Sequence, residues 1–315
     1  MNAHPCCIYL GNKLASYGFG DEHPFGPQRH QVFEQAFIQQ TLNNKVDILA
    51  PVKADRKTLE LFHTTDYIDK VIEQSKFGVG YLDNGDTPAF IGMYEAACYV
   101  AGTVVDAIKQ LMDTYYKRAF IPIAGLHHAR RHIAAGFCVV NDCGIAIETL
   151  FKKYHLQRVA YIDIDAHHGD GVFYSFEDDP RLIFVDVHED GQFLYPGSGA
   201  IDEIGKGDAI GTKLNIPMPP QADDRLFFEM WPQVEKFLEQ HQPEFILFQC
   251  GADSIKDDPI THLAYSEKAH AYAAKRLLIL AEKYCAGRLL AMGGGGYNHD
   301  NIAKTWTAVV KALAE

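Results

Sequence analysis

The chain has 315 residues, of which 47% are hydrophobic, enough to bury a large core within one α/β domain. Its formal net charge of -12, with no basic run, argues against a nucleic-acid-binding groove and permits a cationic ligand. No apolar stretch approaches the roughly 18 residues needed to cross a bilayer, so we expect no membrane span.

The N-terminal sequence and the cysteines bear on the compartment. The first residues, "MNAHPCCIYLG", lack the basic and long apolar regions of a signal peptide. The seven cysteines are odd in number and contain no Cys-x-x-Cys pair, so neither a disulfide framework nor a cysteine zinc site is indicated. We therefore expect a soluble protein in a reducing, cytoplasmic compartment.

Short β-rich runs alternate with longer amphipathic stretches through most of the chain. The predicted strands are 6–10, 118–123, 158–164, 181–187, 244–250 and 288–292. The predicted helices are 28–40, 66–76, 89–113, 142–155, 224–241, 265–285 and 299–314, with Pro232 expected to kink its helix or to end its first turn. Residues 188–223 are the longest stretch with no predicted element.

This alternation predicts a three-layer α/β/α fold, with a central, mostly parallel sheet covered by helices on both faces. No internal repeat or linker divides the chain, so one domain is expected over residues 1–315. In such a sheet, ligands bind beyond the carboxyl ends of the strands. Five predicted strands are followed there by polar or Gly-rich sequences, namely "AGLHHARRH", "DAHHGDG", "HEDGQFLYPGSG", "GADS" and "GGGGYNHD".

The segment "YIDIDAHHGDG", residues 161–171, has the residue types of a metal site. Because extended residues alternate sides, Asp163, Asp165 and His167 can point the same way. Asp165 and His167 are then two ligands for one cation, and Asp253 is the best candidate for a third. Such a set suits Zn²⁺, with Fe²⁺ as the alternative. An isolated Asp-x-His is more often a solvated strand end, but the companion motifs favour the metal.

Two further motifs could complete an active site. His127 and His128 can serve as base and acid around a metal-bound water, although a His pair alone is more often structural. "GGGGY" lacks the Lys-Ser or Lys-Thr of a phosphate-binding P-loop. Its glycines would instead let the backbone approach a ligand closely and direct Tyr297 into the pocket, the alternative being a buried, packing Tyr.

Five motifs together resemble a known family. "GLHHARRHIAAGFCVVND", "YIDIDAHHGDGV", "LYPGSG", "QCGADSIKDDP" and "MGGGGYN" are similar, in order and spacing, to those of the zinc-dependent histone deacetylase family, within the arginase–deacetylase superfamily. Weaker matches, "HPFGPQRH" and "FHTTDYID", extend the resemblance over nearly the whole chain. The resemblance implies the arginase–deacetylase fold and a hydrolase that acts on amides.

The resemblance also implies roles for individual residues. The metal ligands would be Asp165, His167 and Asp253, and the catalytic residues would be His127, His128, their carboxylate partners Asp163 and Asp170, and Tyr297, which polarises the substrate carbonyl. The substrate tunnel would include Gly136, Phe137, Tyr195 and Ile260, with Asp86 at its rim. Arg29 resembles an Arg below the metal, and Cys138 would lie near the tunnel base or pack in the core.

Three positions depart from the family pattern. Tyr195 stands where many relatives carry Phe, which leaves the width and polarity of the tunnel open. Asp186 replaces a Ser or Thr that helps to bind a structural K⁺ ion, so that ion, expected around Asp163, Asp165 and His167, is in question. Ile260 stands where polyamine-selective relatives place a Glu, which disfavours a polyamine substrate.

Four acidic residues are expected at the tunnel rim: Asp83, Asp86, Glu189 and Asp190. Asp86 resembles the carboxylate that grips substrate backbone N–H groups. The other three are expected to be solvated loop charges, which steer a cationic substrate more than they hold it.

The sequence therefore predicts a zinc-dependent deacetylase that acts on acetylated lysine in proteins or peptides. Four alternatives stay open: deacetylation of a small acetamide, deacetylation of an acetylpolyamine, a two-metal ureohydrolase, and a non-catalytic acyl-lysine binder. The ureohydrolase pattern Asp-Ala-His-x-Asp is one residue shorter than the segment from Asp165 to Asp170. A non-catalytic binder would have lost a ligand, a tandem His or the Tyr, and this sequence keeps them all. The sequence predicts no oligomeric state.

Overall fold

A single eight-stranded parallel sheet forms the centre of the protein. The computed structural model describes residues 4–20 and 23–315, so residues 1–3 and 21–22 of the predicted domain lie outside the described residues. The strands are β1 (Cys6–Tyr9), β2 (Asp47–Leu49), β3 (Arg118–Ile121), β4 (Val159–Asp163), β5 (Leu182–Glu189), β6 (Lys213–Met218), β7 (Phe245–Gln249) and β8 (Leu289–Met292). Their order is β2-β1-β3-β8-β7-β4-β5-β6, and every pairing is parallel.

All six predicted strands are present, and the two strands that the sequence pattern missed form the two edges of the sheet. β2 has three residues, none of them buried. β6 lies within the region predicted to be irregular, so that prediction was wrong; it contains Pro217, which an edge strand tolerates. Edge strands are exposed on one side and therefore lack the continuous apolar run that indicates a buried strand.

The seven predicted helices are confirmed with small shifts of their ends, and three short helices were not predicted. The helices are α1 (Asn12–Ala15), α2 (Gln28–Gln39), α3 (Arg56–Leu59), α4 (Thr65–Phe77), α5 (Met93–Asp113), α6 (Asp142–Lys152), α7 (Asp170–Ser175), α8 (Asp224–His241), α9 (Glu267–Tyr284) and α10 (His299–Leu313). Pro232 lies inside α8, which continues past it instead of ending at its first turn.

Helices cover both faces of the sheet. Every residue of β4, β5, β7 and β8 is buried, which a strand achieves only when both of its faces are covered. One group of packed helices consists of α2, α8, α9 and α10, and a second consists of α4, α5 and α6. The predicted three-layer α/β/α architecture is confirmed.

Side-chain caps set the start of several helices. Thr64, Asp223 and Ser266 accept hydrogen bonds from backbone N–H groups in the first turns of α4, α8 and α9. Asn141 caps α6 in the same way, accepting from the Gly144 N–H at 2.7 Å. Within residues 4–20 and 23–315, no helix has both the length and the apolar character of a membrane span.

Candidate metal centre and active site

The sheet order places the polar motifs together. β3, β8, β7, β4 and β5 are consecutive in the sheet, and they are the five strands that the motifs follow. Because all are parallel, their carboxyl ends meet at one edge, and the side chains after each strand converge there. The segments that directly follow these five strands therefore supply the site.

Asp165, His167 and Asp253 form a buried group that could hold a metal ion. One ligand atom from each lies within 4.8 Å of the others, and the described residues contain no second group of this kind. His167 Nδ1 lies 3.1 Å from Asp165 Oδ1 and 3.1 Å from Asp253 Oδ2. Ligands at 2.0–2.1 Å in a tetrahedral zinc site are roughly 3.3 Å apart. The spacing therefore fits a zinc ion.

The charges of this group also favour a cation. Burial alone would lower the pKa of His167, but hydrogen bonds and charges from Asp165 and Asp253 raise it to about 10. A bound metal would supply that positive charge in place of the proton. Asp165 Oδ2 is held by the Gln249 side-chain amide and by the Gly295 N–H, each at 2.8 Å. A Cβ at Gly295 would overlap Asp253, so this position requires glycine.

The tandem histidines face each other beside the metal ligands. His127 Nδ1 lies 2.8 Å from Asp163 Oδ2, and His128 Nδ1 lies 2.8 Å from Asp170 Oδ1. The two Nε2 atoms are 3.0 Å apart, so one of them carries a proton that the other accepts. Burial, followed by the charge of His127, lowers the pKa of His128 to about 4. The pair can therefore hold one proton and keep a neutral base.

The two carboxylate partners have different surroundings. Asp163 also accepts from the Tyr161 hydroxyl at 2.6 Å, and burial together with the charge of Asp186 raises its pKa. Burial alone would raise the pKa of Asp170, but the hydrogen bond from His128 and nearby positive charges hold it below its ordinary value. Arg130 Nη2 is 3.4 Å from Asp170 Oδ2. Each carboxylate fixes the orientation of one imidazole.

Tyr297 follows the glycine run and lies on the same side as the metal ligands. Its backbone N–H donates to Asp258 Oδ2 at 2.8 Å, and its ring is 6.0 Å from the ring of Phe137. Burial, with the charge of Asp253, raises its pKa well above the ordinary value for a tyrosine. The hydroxyl therefore remains a hydrogen-bond donor at neutral pH.

Arg29 lies beneath the glycine run and fixes its backbone. The side chain is fully buried; Nε donates to the Gly296 carbonyl at 2.8 Å and Nη2 donates to the Gly294 carbonyl at 2.5 Å. The guanidinium is 3.9 Å from the ring centre of Phe25. Arg29 thus holds the segment that carries Tyr297.

We call the set just described the pocket base; Tyr297 in it is partly buried, and the other members are buried, namely His127, His128, Asp163, Asp165, His167, Asp170 and Asp253. A cavity of about 1140 Å³ opens from it to the surface. The predicted tunnel residues all line this cavity: Asp86, Gly136, Phe137, Tyr195 and Ile260.

The tunnel wall contacts the pocket base closely. The Tyr195 ring lies 5.2 Å from the His128 ring at 76°, while 46% of Tyr195 remains exposed to solvent. Gly136 has φ +51, and a Cβ there would overlap the His128 ring, so only glycine fits. Cys138 is buried, with Sγ 3.4 Å from the Gly136 carbonyl oxygen. Tyr195 and Gly136 therefore lie directly against His128.

Residues 83–86, 194–196 and 260 line the cavity, and we call the segments that carry them, 83–87, 189–196 and 256–262, the rim. Asp83 was expected to be a solvated charge, and that prediction was wrong. Its Oδ1 accepts from the N–H groups of Gly85, Asp86 and Thr87 at 2.9–3.0 Å, and its Oδ2 accepts from the Thr87 hydroxyl at 2.6 Å. Asp83 therefore shapes the loop that presents Asp86, whose own side chain is exposed.

Glu189 was also expected to be a solvated charge, and that prediction was wrong as well. Only 2% of Glu189 is exposed, and it accepts from the N–H and from Nδ1 of His262 at 2.8 Å and 2.7 Å. It thus joins β5 to the loop that contains Ile260. Asp190 is partly exposed and accepts from the Gln192 N–H at 2.9 Å.

Four polar residues of the site were not singled out from the sequence. Gln249 holds Asp165, and Asp258 holds Tyr297. Asn141 donates to the His127 and Ala129 carbonyls, and Asp142 accepts from the N–H groups of Gly125 and Leu126. All four residues lie within the quoted motifs, but only the three-dimensional structure shows which atoms they contact.

The surroundings of Asp186 bear on the predicted potassium ion. Its carboxylate accepts from the Gly169 N–H at 2.8 Å and faces His188 Nδ1 at 2.8 Å. The other nitrogen of His188 faces the Gly199 carbonyl oxygen at 3.0 Å, so both ring nitrogens face acceptors. An imidazolium at His188 satisfies both and balances the charge of Asp186. A potassium ion beside Asp163 remains a prediction from the resemblance.

Comparisons of the sequence agree with this geometry. Residues 23–313 match the model of the histone deacetylase domain. The acetoin utilization protein AcuC of Bacillus subtilis is 37% identical over 312 residues, which cover 95% of this chain and 78% of that protein. Human histone deacetylase 1 is 34% identical over 314 residues, which cover 96% of this chain and 63% of that protein.

A comparison of structures gives the same fold. The crystal structure of an HDAC homolog complexed with SAHA superposes with a TM-score of 0.86 at 27% sequence identity. The match covers 98% of this chain and 84% of that one. The fold is therefore shared over nearly the full length of this chain.

Proposed function

The chain belongs to the histone deacetylase family and hydrolyses amides, and from that premise we propose that it removes acetyl groups from lysine side chains of proteins or peptides, using zinc. The observation that carries this proposal is the pocket base itself. Three metal ligands, two histidines with carboxylate partners and one tyrosine lie together at the end of a cavity.

The residues of the pocket base have complementary tasks in this reaction. A zinc ion held by Asp165, His167 and Asp253 would supply Lewis-acid chemistry toward the amide carbonyl and the attacking water. The tandem histidines accept the proton of that water and return a proton to the departing amine. The Tyr297 hydroxyl donates a hydrogen bond to the carbonyl oxygen as negative charge develops on it.

Zinc is the metal we propose, with Fe²⁺ as the alternative that the same donors accept. One imidazole and two carboxylates exclude a site that relies on thiolates. We also propose that residues 1–315 form one catalytic domain. The seven cysteines are free and buried, which is consistent with the reducing, cytoplasmic location that we propose.

The tunnel supports a peptide substrate over an acetylpolyamine. Ile260 lines the cavity, and an apolar side chain gives no attraction to a polyamine cation. Asp86 is exposed on the rim, and in this proposal it accepts hydrogen bonds from substrate backbone N–H groups. The ureohydrolase alternative requires a second metal, and the described residues contain one group of metal ligands.

The test is an activity screen of the zinc-loaded protein on acetyl-lysine peptides, acetylpolyamines and small acetamides. We expect kcat/KM to be highest for the peptides, with activity lost on chelation and restored by zinc. Two metals per chain by elemental analysis would favour the ureohydrolase. Stoichiometric zinc with no turnover of any substrate would favour an acyl-lysine binder.

A further inference from the structure

One carboxylate in the rim segment 256–262 is turned into the protein. Only 7% of Asp258 is exposed, whereas its neighbours in the chain are exposed, namely Lys256, Asp257, Pro259 and Ile260. A carboxylate is rarely buried unless hydrogen bonds or an opposite charge compensate for the loss of water. The partners of Asp258 therefore indicate why it is buried.

Asp258 accepts hydrogen bonds from two different segments of the chain. Its Oδ2 accepts from the Tyr297 N–H at 2.8 Å, and its Oδ1 accepts from the Ile260 N–H at 3.1 Å. Burial raises the pKa of Asp258, and these two N–H groups oppose that rise. Ile260 and Tyr297 both line the cavity, so one carboxylate joins the cavity wall to the segment that carries the Tyr297 hydroxyl.

The peptide group between Gly296 and Tyr297 is held at both of its ends. Its carbonyl oxygen accepts from Arg29 Nε at 2.8 Å, and its N–H donates to Asp258 Oδ2 at 2.8 Å. Because a peptide group is planar, these two bonds fix its plane, and the plane sets the direction in which the Tyr297 side chain leaves the backbone. Gly296 has φ +124, and as a glycine it would otherwise permit the plane to rotate. Arg29 and Asp258 together remove that freedom.

We propose that Asp258 is a positioning residue, which acts on catalysis by fixing the peptide group that precedes the Tyr297 side chain. The inference rests on the deacetylation proposed above, in which the Tyr297 hydroxyl donates to the developing oxyanion. Such a donor acts only at hydrogen-bond distance, and a misplacement of about 1 Å can cost about 10² in rate. Asp258 belongs to a rim segment, but because it is buried behind Tyr297 it affects the chemical step whatever substrate is offered.

The test is a double-mutant cycle of wild type, Asp258→Ala, Tyr297→Phe and the double variant, each loaded with zinc. In the wild-type background, Asp258→Ala should lower kcat about tenfold to a hundredfold and leave KM within about twofold. The factor should be the same for an acetyl-lysine peptide and for a small acetamide. In the Tyr297→Phe background, Asp258→Ala should lower kcat no more than about twofold, because the hydroxyl that Asp258 positions is already absent.

Zinc content by elemental analysis and Tm are measured for all four proteins, so that loss of the metal or of the fold is detected separately. Asp300→Ala is the matched control, because it removes an exposed carboxylate three residues after Tyr297; its kcat should equal that of wild type. A loss of the same factor in both backgrounds would mean that Asp258 supports the fold and does not act through Tyr297, and the proposal would be overturned.

Amide hydrogen exchange tests the positioning without turnover. The Tyr297 amide should exchange faster in Asp258→Ala than in wild type, and at the wild-type rate in Asp300→Ala. Unchanged exchange at Tyr297 would contradict the proposal. A wild type that turns over no acetamide would overturn the proposed function, whereas turnover by wild type with equal losses in both backgrounds would overturn this inference alone.

If Asp258→Ala folds poorly, Asp258→Asn takes its place in the cycle. Asparagine keeps the shape of the side chain but offers one acceptor oxygen to two N–H donors. Its loss of kcat should be smaller and should again disappear in the Tyr297→Phe background. A kcat equal to that of wild type would overturn the proposal.

Discussion

The pocket base and the rim use carboxylates in opposite ways. In the pocket base, Asp163, Asp165 and Asp253 are buried, and each has a hydrogen-bond partner on a neighbouring strand or loop. At the rim, Asp83 holds its own loop while Asp86, three residues later, is exposed. The sheet therefore determines which groups a carboxylate in the pocket base contacts. At the rim, the carboxylate's own loop determines this.

This difference indicates where each kind of substitution should act. Changes in the pocket base should affect the chemical step or the stability of the fold, whatever substrate is offered. Changes at the rim should depend on what the substrate carries beyond the acetamide. The predictions on Tyr297 and on the rim test that division, and the one on His63 concerns the packing beneath the pocket base; they start with the largest expected effect.

Tyr297→Phe should lower kcat by about 10²–10³, or about 2.7–4 kcal/mol, because it removes one donor to the developing oxyanion. The loss should be similar for a peptide and a small acetamide. The measurement is kcat for both substrates, with zinc content by elemental analysis to show that the metal is retained. Tyr284→Phe, at the end of α9, is the matched control. A near-normal kcat would remove Tyr297 from the mechanism.

His63 should make stability depend on pH, because its Nε2 accepts from the Asn141 N–H at 2.9 Å and burial lowers its pKa to about 3. An unfolded His titrates near 6.5, so below that pH the unfolded state binds the extra proton and stability falls until about pH 3. Between pH 7 and 5 the loss should be about 2 kcal/mol. Urea unfolding measures it.

His63→Gln keeps an acceptor at the position of Nε2 but cannot gain a proton. Its free energy of unfolding should therefore fall by about 2 kcal/mol less than that of wild type over the same pH range. His132→Gln, an exposed residue, is the control and should follow wild type. Parallel curves for wild type and His63→Gln would rule out this contribution.

At the rim, Asp83→Ala and Asp86→Ala should each lower kcat/KM for an acetyl-lysine peptide at least about tenfold, near 1.4 kcal/mol. Asp86 loses a contact to the substrate backbone, whereas Asp83 loses the four hydrogen bonds that shape the loop. Only Asp83→Ala should speed amide hydrogen exchange at residues 85–87.

The same two changes should matter far less for a small acetamide without peptide N–H groups. Asn84→Ala, an exposed neighbour, should leave both substrates unaffected. Equal losses on peptide and acetamide would show that residues 83–86 support the pocket base. These residues would then not differ from the pocket base in their dependence on the substrate.

Ile260→Glu should give the smallest effect, raising kcat/KM for an acetylpolyamine about threefold to fivefold. A charge pair at 4 Å in water is worth about 1 kcal/mol, and Ile260 is 36% exposed. The gain should shrink at high salt and should be absent in Ile260→Gln. No gain at low salt would mean that the substrate cation does not pass this position.

The sequence predicted the six inner strands of the sheet and missed its two edge strands. β4, β5 and β7 each begin with four consecutive apolar residues, whereas β2 and β6 gain their strand character from pairing with one neighbour at an edge. The order of the strands follows from contacts between distant segments, which periodicity does not record.

The candidate site shows the same limit. Residue types in the motifs predicted which side chains the structure brings together, as with Asp165, His167 and Asp253. The sequence alone did not distinguish the role of Asp83 from that of Asp86, because the difference depends on which backbone N–H groups face each carboxylate. Glu189 was misjudged for the same reason, since its partner His262 is 73 residues away.

The bonds from Arg29 to the glycine run also determine when the site can form during synthesis. Arg29 and Gly296 are 267 residues apart. At 5–20 residues per second a ribosome needs about 13–53 s to make that interval. For the later part of that time the nascent chain carries the tandem histidines and the first two candidate metal ligands without the segment that closes over them. Catalytic competence therefore cannot precede synthesis of the glycine run, and chains that stop before it should be inactive however well their first strands have folded.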